Sequence, residues 1–418
     1  MDMTRRAWIV SSGVASVASV ASMAGLSAGR FGVPPVESLV LPNKSQFETT
    51  IKSEICLNNA RWHPLSTGAQ RAINEYLEYK SRGGGNQADF MDEKQKEVKV
   101  LFAQLINVKP SEISYVGSTT FGENLVVSGI RLPHDANVVT DALHFEGSLY
   151  LYGAMRQQGL DVRMVRPRNW AIELSDIAKA MDGNTKLIAL SLVSMTNGFE
   201  HDLKAVCDLA HAHGAYVYAD IVQAAGAIPI DVKASGVDFC ACASYKWLMG
   251  DMGLGFLYVR EDLLDRVIYR SQFGYRQLSH MQYHLFPGDP PGDQVIDWVQ
   301  SQTAAGHFEV GTVSNTTVMA LTHSLKYIQD LGVQNIQAHT QGLIARLRKE
   351  MPALGFETIT PVQSKGPIIT FIAKDTSQLE AKLRRANIDV SLSGSRIRIS
   401  PSVYNDDSDI NHLLEALA

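Results

Sequence analysis

Apolar positions along the chain gather into short runs rich in β-branched and aromatic residues, separated by stretches with helical spacing. The pattern predicts strands at 114–116, 137–140, 162–165, 187–192, 215–219, 239–243 and 255–259. Each run is nearly continuous in apolar residues, as strands covered on both faces are. Helical patterns fall between them at 174–181 and 203–213, the second closing on Gly214, where a helix C-terminus favours glycine. Strands and helices in this alternation predict an α/β fold on a seven-stranded, mostly parallel sheet. A further helix is predicted at 262–270. Beyond residue 312 the spacing changes, with helices at 316–331, 333–350, 377–386 and 407–417 and strands near 368–372 and 396–400, a smaller C-terminal α+β domain. The expected organisation is an N-terminal signal over 1–30, a segment over 31–68 packing on the small domain, a large domain over 69–311 and the small domain over 312–418.

Composition narrows the class of partner. The 418 residues carry 38 Lys and Arg against 43 Asp and Glu, a net charge of -5. No basic footprint speaks for nucleic acid, so small molecules are the expected ligands. Cys56, Cys207, Cys240 and Cys242 are too few for a disulfide scaffold. Cys240-Ala-Cys242 lacks the second ligand pair of a zinc site, and no metal is expected.

Thr4-Arg5-Arg6-Ala7-Trp8 sets two adjacent arginines before residues 9–28, an uncharged, mildly apolar stretch of Ala, Ser, Val and Gly. That is the layout of an export signal, and the paired arginines resemble the twin-arginine type. Its serines and glycines make a poor spanning helix. Leu26-Ser27-Ala28 supplies only half of a small-x-small cleavage site. The expectation is a periplasmic protein handed to the twin-arginine translocase, a route used by proteins that load a cofactor before export.

In open α/β sheets ligands bind at the carboxyl edge of the strands. There the sequence places Gly117-Ser118-Thr119-Thr120, which opens a helix with free N–H groups suited to a phosphate. It also places His144, Asp220, Gln223 and Ser244-Tyr245-Lys246. A phosphate cradle, a carboxylate, an aromatic lid and a lysine on one edge are what pyridoxal 5'-phosphate requires.

The stretch Ala215-Tyr-Val-Tyr-Ala-Asp220-Ile-Val-Gln223, continued by Ala243-Ser-Tyr-Lys246-Trp-Leu-Met-Gly250-Asp-Met-Gly253-Leu-Gly255, resembles class V aminotransferases and their cysteine desulfurase relatives, fold type I pyridoxal-phosphate enzymes. The likeness extends over residues 54–418. It implies that Lys246 is the Schiff-base lysine, Asp220 the partner of the pyridine nitrogen, Gln223 that of the phenolic oxygen, and His144 the residue stacked on the ring. By the same likeness Ser118, Thr119 and Ser244 hold the phosphate, Tyr245 adjoins the cofactor, and Thr312 reaches into a second subunit of a homodimer. Arg398, in Arg396-Ile-Arg398-Ile-Ser-Pro, matches the arginine that binds the substrate carboxylate, a task suited to guanidinium geometry.

Departures from the family bear on the reaction. Residues 387–396 are short and lack the nucleophilic cysteine of desulfurases, which predicts that persulfide-forming desulfuration is excluded. The Lys246-Trp-Leu run looks like the branch around isopenicillin N epimerase. Tyr245 stands where a histidine usually precedes the lysine, and Met195 where desulfurases place an asparagine. Asn59 and Arg61, in Leu57-Asn58-Asn59-Ala60-Arg61-Trp62-His63-Pro64, are expected at the substrate entrance, Arg61 reading an acidic group. The nearest exported analogue of this kind is the periplasmic enzyme of pyoverdine maturation, which remodels a glutamyl residue on a peptide siderophore. The expected function is aminotransferase-like chemistry on an α-amino acid or a peptide residue. The alternatives are epimerisation, C–S lysis, oxidative decarboxylation, or a non-catalytic binding protein on the same fold.

Overall fold

In the computed structural model residues 40–83 and 87–418 are described; the expected export signal at 1–30 and Gly84-Gly85 lie outside them. After a short helix, Glu48–Ser53, come a two-residue strand, β1 (Ile55–Cys56), and then β2 (Ile113–Val116), β3 (Asn137–Asp141), β4 (Asp161–Val165), β5 (Thr185–Ser191), β6 (Tyr216–Asp220), β7 (Phe239–Ala243) and β8 (Gly255–Val259). Strands β2 to β8 make one seven-stranded sheet in the order β2-β8-β7-β6-β5-β3-β4. β3 to β7 run parallel, and β8 is antiparallel to both of its neighbours. The expected mostly parallel sheet is what forms.

Side chains alternate across a strand, so a strand covered on both faces feeds two cores. In β7, Cys240 and Cys242 enter the core on one face while Phe239 and Ala241 enter that on the other. β6 does the same with Val217 and Ala219 against Tyr218. The four cysteines are buried and unpaired, consistent with their use as small core residues.

The helices predicted at 174–181 and 203–213 occur as Leu174–Ala180 and Leu203–Ala212. The helix expected at 262–270 does not form. A single 3-10 turn, Glu261–Leu263, is followed by Asp265 at φ 56° and a bridge from Ile268 to Ile130. Ile268 is fully buried, and the Tyr269 N–H donates to Gly129 O at 3.0 Å, so extended backbone seals the end of the helix Thr119–Gly129. An antiparallel hairpin, β9 (Leu278–Tyr283) with β10 (Ile296–Gln300), was not legible in the pattern because its apolar residues, Met281, Trp298 and Val299 among them, are exposed.

The C-terminal part carries β11 (Ile369–Ile372), β12 (Ile388–Asp389), β13 (Ser391–Ser393) and β14 (Arg396–Ile399), with β11-β14-β13 as a small antiparallel sheet. β1 pairs in parallel with β12, and Asn58 bridges to Ser400, which stitches the segment after residue 54 into this small sheet region. The helix Asn315–Leu331 packs on the helices Thr67–Ser81 and Gln87–Leu105. Among the described residues no helix is long and apolar enough to cross a membrane.

Candidate active site

Parallel strands end together, and their ends make the floor of the site. Ser191 at the end of β5 pairs with Asp220 at the end of β6, and β7 leads into Ser244-Tyr245-Lys246. A cavity opens above this edge, walled by Ser118, Thr119, Thr120, Phe145, Ser191, Val193, Met195, Asp220, Val222, Gln223, Ala243, Tyr245 and Lys246. The sequence-predicted Ser118, Thr119, Asp220, Gln223, Tyr245 and Lys246 therefore meet in one place.

At one end the helix Thr119–Gly129 points its N-terminus into the cavity. The Ser118 Oγ caps it by accepting from the Phe121 N–H at 3.1 Å, and the Thr119 Oγ1 accepts from the Ala243 N–H at 2.9 Å. Both hydroxyl protons stay available to an anion, as do N–H groups of the first turn. Thr120 joins this wall.

At the floor, Asp220 is 3% exposed and accepts from the Val222 N–H at 2.9 Å. Burial raises its carboxyl above the usual range, while the charges of His144 and Lys246 and the Val222 N–H pull the other way. Lys246 is 7% exposed, its Nζ 5.7 Å from the Tyr245 ring centroid. Burial brings its ammonium down to about 8; Asp220 resists this and Arg398 reinforces it. Such an amine is available as a nucleophile near neutral pH.

Gln223 lies on the wall but is already engaged. Its Nε2 donates to Ala60 O at 2.9 Å and its Oε1 accepts from Trp247 Nε1 at 2.8 Å, tying the entrance segment to the lysine turn. Gly226 underlies that turn at φ +90°, where a Cβ would stand 2.4 Å from the Trp247 carbonyl oxygen. His63 fastens the same segment from above, donating its N–H to Tyr245 O at 3.0 Å.

Four predicted residues stand elsewhere. Ser244 is fully buried, its Oγ within 2.5 Å of Asp251 O and 2.8 Å of Leu254 O, so its hydroxyl closes the 244–254 loop instead of facing the phosphate cradle. Asn59 is also fully buried, donating to Ser400 O at 2.9 Å and accepting from the Tyr404 hydroxyl at 2.6 Å, and is a structural residue and no part of the entrance. His144 is not on the cavity wall. Its ring is enclosed, Nδ1 at 2.8 Å from Ser191 Oγ and Nε2 at 3.1 Å from Glu123 Oε1. Its neighbour Phe145 is on the cavity wall instead, with Tyr245, and the Phe145 ring folds back over Gly147, where a Cβ would come within 2.6 Å of it. Thr312 is exposed and lines a separate hollow with Gln95 and Arg276.

Arg398 on β14 comes to the rim. Its Nη1 donates to the carbonyl of Met195, a wall residue, at 2.9 Å, and its Nη2 lies 3.5 Å from Asn58 Oδ1. Its Nε has no partner although the side chain is 9% exposed. Burial, and then the nearby Arg61, lower its guanidinium to about 10. Asn58 was missed by the sequence reading. Adjacent asparagines in extended chain point to opposite sides, and nothing in Asn58-Asn59 says which one turns to the arginine. Arg61 is exposed and lines a groove with Asn58, Trp62 and Cys56. Tyr245 borders both the groove and the cavity.

A model of the class-V aminotransferase family matches residues 69–413. The chain belongs to that family. A probable cysteine desulfurase of Methanothermobacter thermautotrophicus is 25% identical over 327 residues, 77% of this chain and 78% of the relative. An uncharacterized aminotransferase of Bacillus subtilis is 23% identical over 374 residues, 89% and 96% of the two chains. Among solved structures, the apo cysteine desulfurase of Thermococcus onnurineus superposes with a TM-score of 0.79 at 21% identity, covering 91% of this chain and 98% of that one. The C-DES protein in a variant form, with glycine covalently linked to its pyridoxal-phosphate cofactor, gives 0.78 at 21% identity, covering 90% and 99%.

The class-V family's cofactor is pyridoxal 5'-phosphate, and the site fits it. Free hydroxyls at a helix N-terminus, an aromatic wall, a buried carboxylate and a buried lysine form the donor set it needs. The expectation that persulfide-forming desulfuration is excluded is overturned, because cysteine desulfurases stand among the relatives and the superposable structures. The absence of cysteine from residues 387–396 is one loop's composition and does not set the reaction class. Cys56 borders the groove that Tyr245 shares with the cavity.

Proposed function

We propose that the chain is an exported pyridoxal-phosphate enzyme that begins its reaction at the α-carbon of an amino acid, or of an amino-acid residue in a peptide, by transamination or a related reaction of that carbon. The observation that carries the reading is the buried, unpartnered Nε of Arg398 at the rim of a cavity that holds Lys246 and Asp220. Ser118, Thr119 and Thr120 would hold the phosphate, Asp220 the ring nitrogen, Phe145 and Val222 the ring faces, and Lys246 the reactive carbon. When bound, the cofactor supplies an electron sink for charge developing at the substrate α-carbon. Arg398 orients the substrate through its carboxylate, and Lys246, once released, is placed to take and return a proton. Absorbance spectra of the loaded protein, taken as candidate amino acids and siderophore precursors are added, test this reading; no spectral response to any amino compound would reject it.

The open groove beside Arg61 supports an acidic second group on the substrate. Arg61→Ala is expected to weaken acidic substrates alone, by about 0.2–1 kcal/mol for an exposed pair. Titrations with glutamate-like and neutral amino compounds check it, and equal losses for both kinds would remove Arg61 from recognition.

Export rests on Arg5-Arg6 and the uncharged stretch after them. Replacing both arginines with lysine is expected to hold the protein in the cytoplasm, as fractionation would show; unchanged export would point to another route. A homodimer is supported by Thr312, which is exposed and away from its own chain's cavity, free to serve a neighbour's site. Light scattering on the loaded protein is expected to give twice the chain mass, and a fully active monomer would dismiss the shared site.

A further inference from the structure

Beneath the cavity lies a polar cluster that cofactor binding does not by itself explain. Glu123, on the helix whose N-terminus forms the phosphate cradle, is 1% exposed. A carboxylate there is costly unless it is paired. Its Oε1 lies 3.1 Å from His144 Nε2 and its Oε2 accepts from the Ser148 hydroxyl. His144 in turn reaches Ser191 Oγ with Nδ1 at 2.8 Å, and Ser191 lines the cavity beside Asp220. Three buried groups thus connect the core to the wall, in the order Glu123, His144, Ser191.

Proton bookkeeping gives the chain a direction. A neutral ring protonated on Nε2 donates to Glu123, and its bare Nδ1 takes the only proton of Ser191. An imidazolium donates from both nitrogens, to Glu123 and to the Ser191 oxygen, which leaves the Ser191 O–H free to donate into the cavity. We propose that Glu123 is a positioning residue that keeps His144 doubly protonated and thereby aims the Ser191 hydroxyl proton into the cofactor cavity.

The surroundings of His144 agree with that state. Facing it are Glu123 from the helix Thr119–Gly129, Asp141 from β3, Asp220 and Tyr218 from β6, and Tyr152 from the helix Glu146–Gln157. Burial opposes the charge, but Glu123 above all, with Asp220 and Asp141, raises the imidazole above its ordinary value. The Ser148 hydroxyl takes Oε2 of Glu123 and leaves Oε1 to His144.

Glu123→Gln keeps the shape and an acceptor for Nε2 and removes only the charge. The test begins on cofactor-free protein with 15N-labelled histidine, the His144 signals being those that move on Ser191→Ala. Near neutral pH the unsubstituted protein is expected to show both ring nitrogens protonated, and Glu123→Gln one protonated and one bare. A neutral His144 in the unsubstituted protein overturns the proposal even if the variant does not fold. In loaded protein the pH midpoint of the visible cofactor band is expected to shift by about one unit in Glu123→Gln, equally in Ser191→Ala, and no further in the double variant. An unmoved midpoint in a stable, yellow variant overturns it too. The last readout rests on the cofactor reading, but the two fail differently: without that reading the unsubstituted protein would have no visible band.

Discussion

Replacing Lys246 with alanine is expected to give a folded protein that loses pyridoxal 5'-phosphate on gel filtration and turns over at least about a hundred- to ten-thousand-fold more slowly. Of the described residues, Lys246 is the one lysine on the cavity wall, so no other amine there can form the covalent link. In the unsubstituted protein the link needs the neutral amine, because the ammonium has no lone pair. With its ammonium brought down to about 8, attachment of added cofactor should quicken as pH rises and level off above about pH 8. Asp220 favours the charged form, so Asp220→Asn should move that midpoint down; Arg398 disfavours it, so Arg398→Ala should move it up. Stopped-flow absorbance over a pH series reads all three. A pH-independent rate, or a shift of opposite sign in either variant, would mean that Lys246 is not the attacking group.

The second large effect is at Arg398. Its buried guanidinium spends one N–H on Met195 O and holds Nε without a partner, which is the arrangement of a group waiting for an anion. Arg398→Ala should weaken every carboxylate substrate by about 2–5 kcal/mol, or roughly thirty- to several-thousand-fold in kcat/KM. The cofactor should stay attached, because Arg398 is not on the wall that holds it. Substrate titrations of the loaded variant, with matched amines that lack the carboxylate as controls, separate the two. Equal losses for amine and amino acid would make Arg398 a structural residue.

The strand ends carried most of what the sequence could say. The strands were legible because all but the edge strand β4 are short, buried runs, and Ser118, Thr119, Asp220, Tyr245 and Lys246 follow from sitting at their carboxyl edge. Legibility ended where side-chain direction decides. His144 and Phe145 are neighbours, and only the turn before the helix Glu146–Gln157 sends one ring into the cavity and the other toward Glu123. Ser244 has the right position for a phosphate ligand, but its hydroxyl is drawn away by the carbonyl groups of Asp251 and Leu254. The register of the Ser400 bridge turns Asn58, and not the expected Asn59, toward Arg398. The hairpin β9–β10 and the broken 262–270 segment escaped for the opposite reason, since their apolar residues follow tertiary contacts or solvent, not a period.

The most direct test of the account is borohydride reduction of the loaded protein, followed by proteolysis and mass mapping of the phosphopyridoxyl label. The account predicts one labelled peptide, with the label on Lys246. Label on any other lysine, or protein that takes up none while folded, would contradict it.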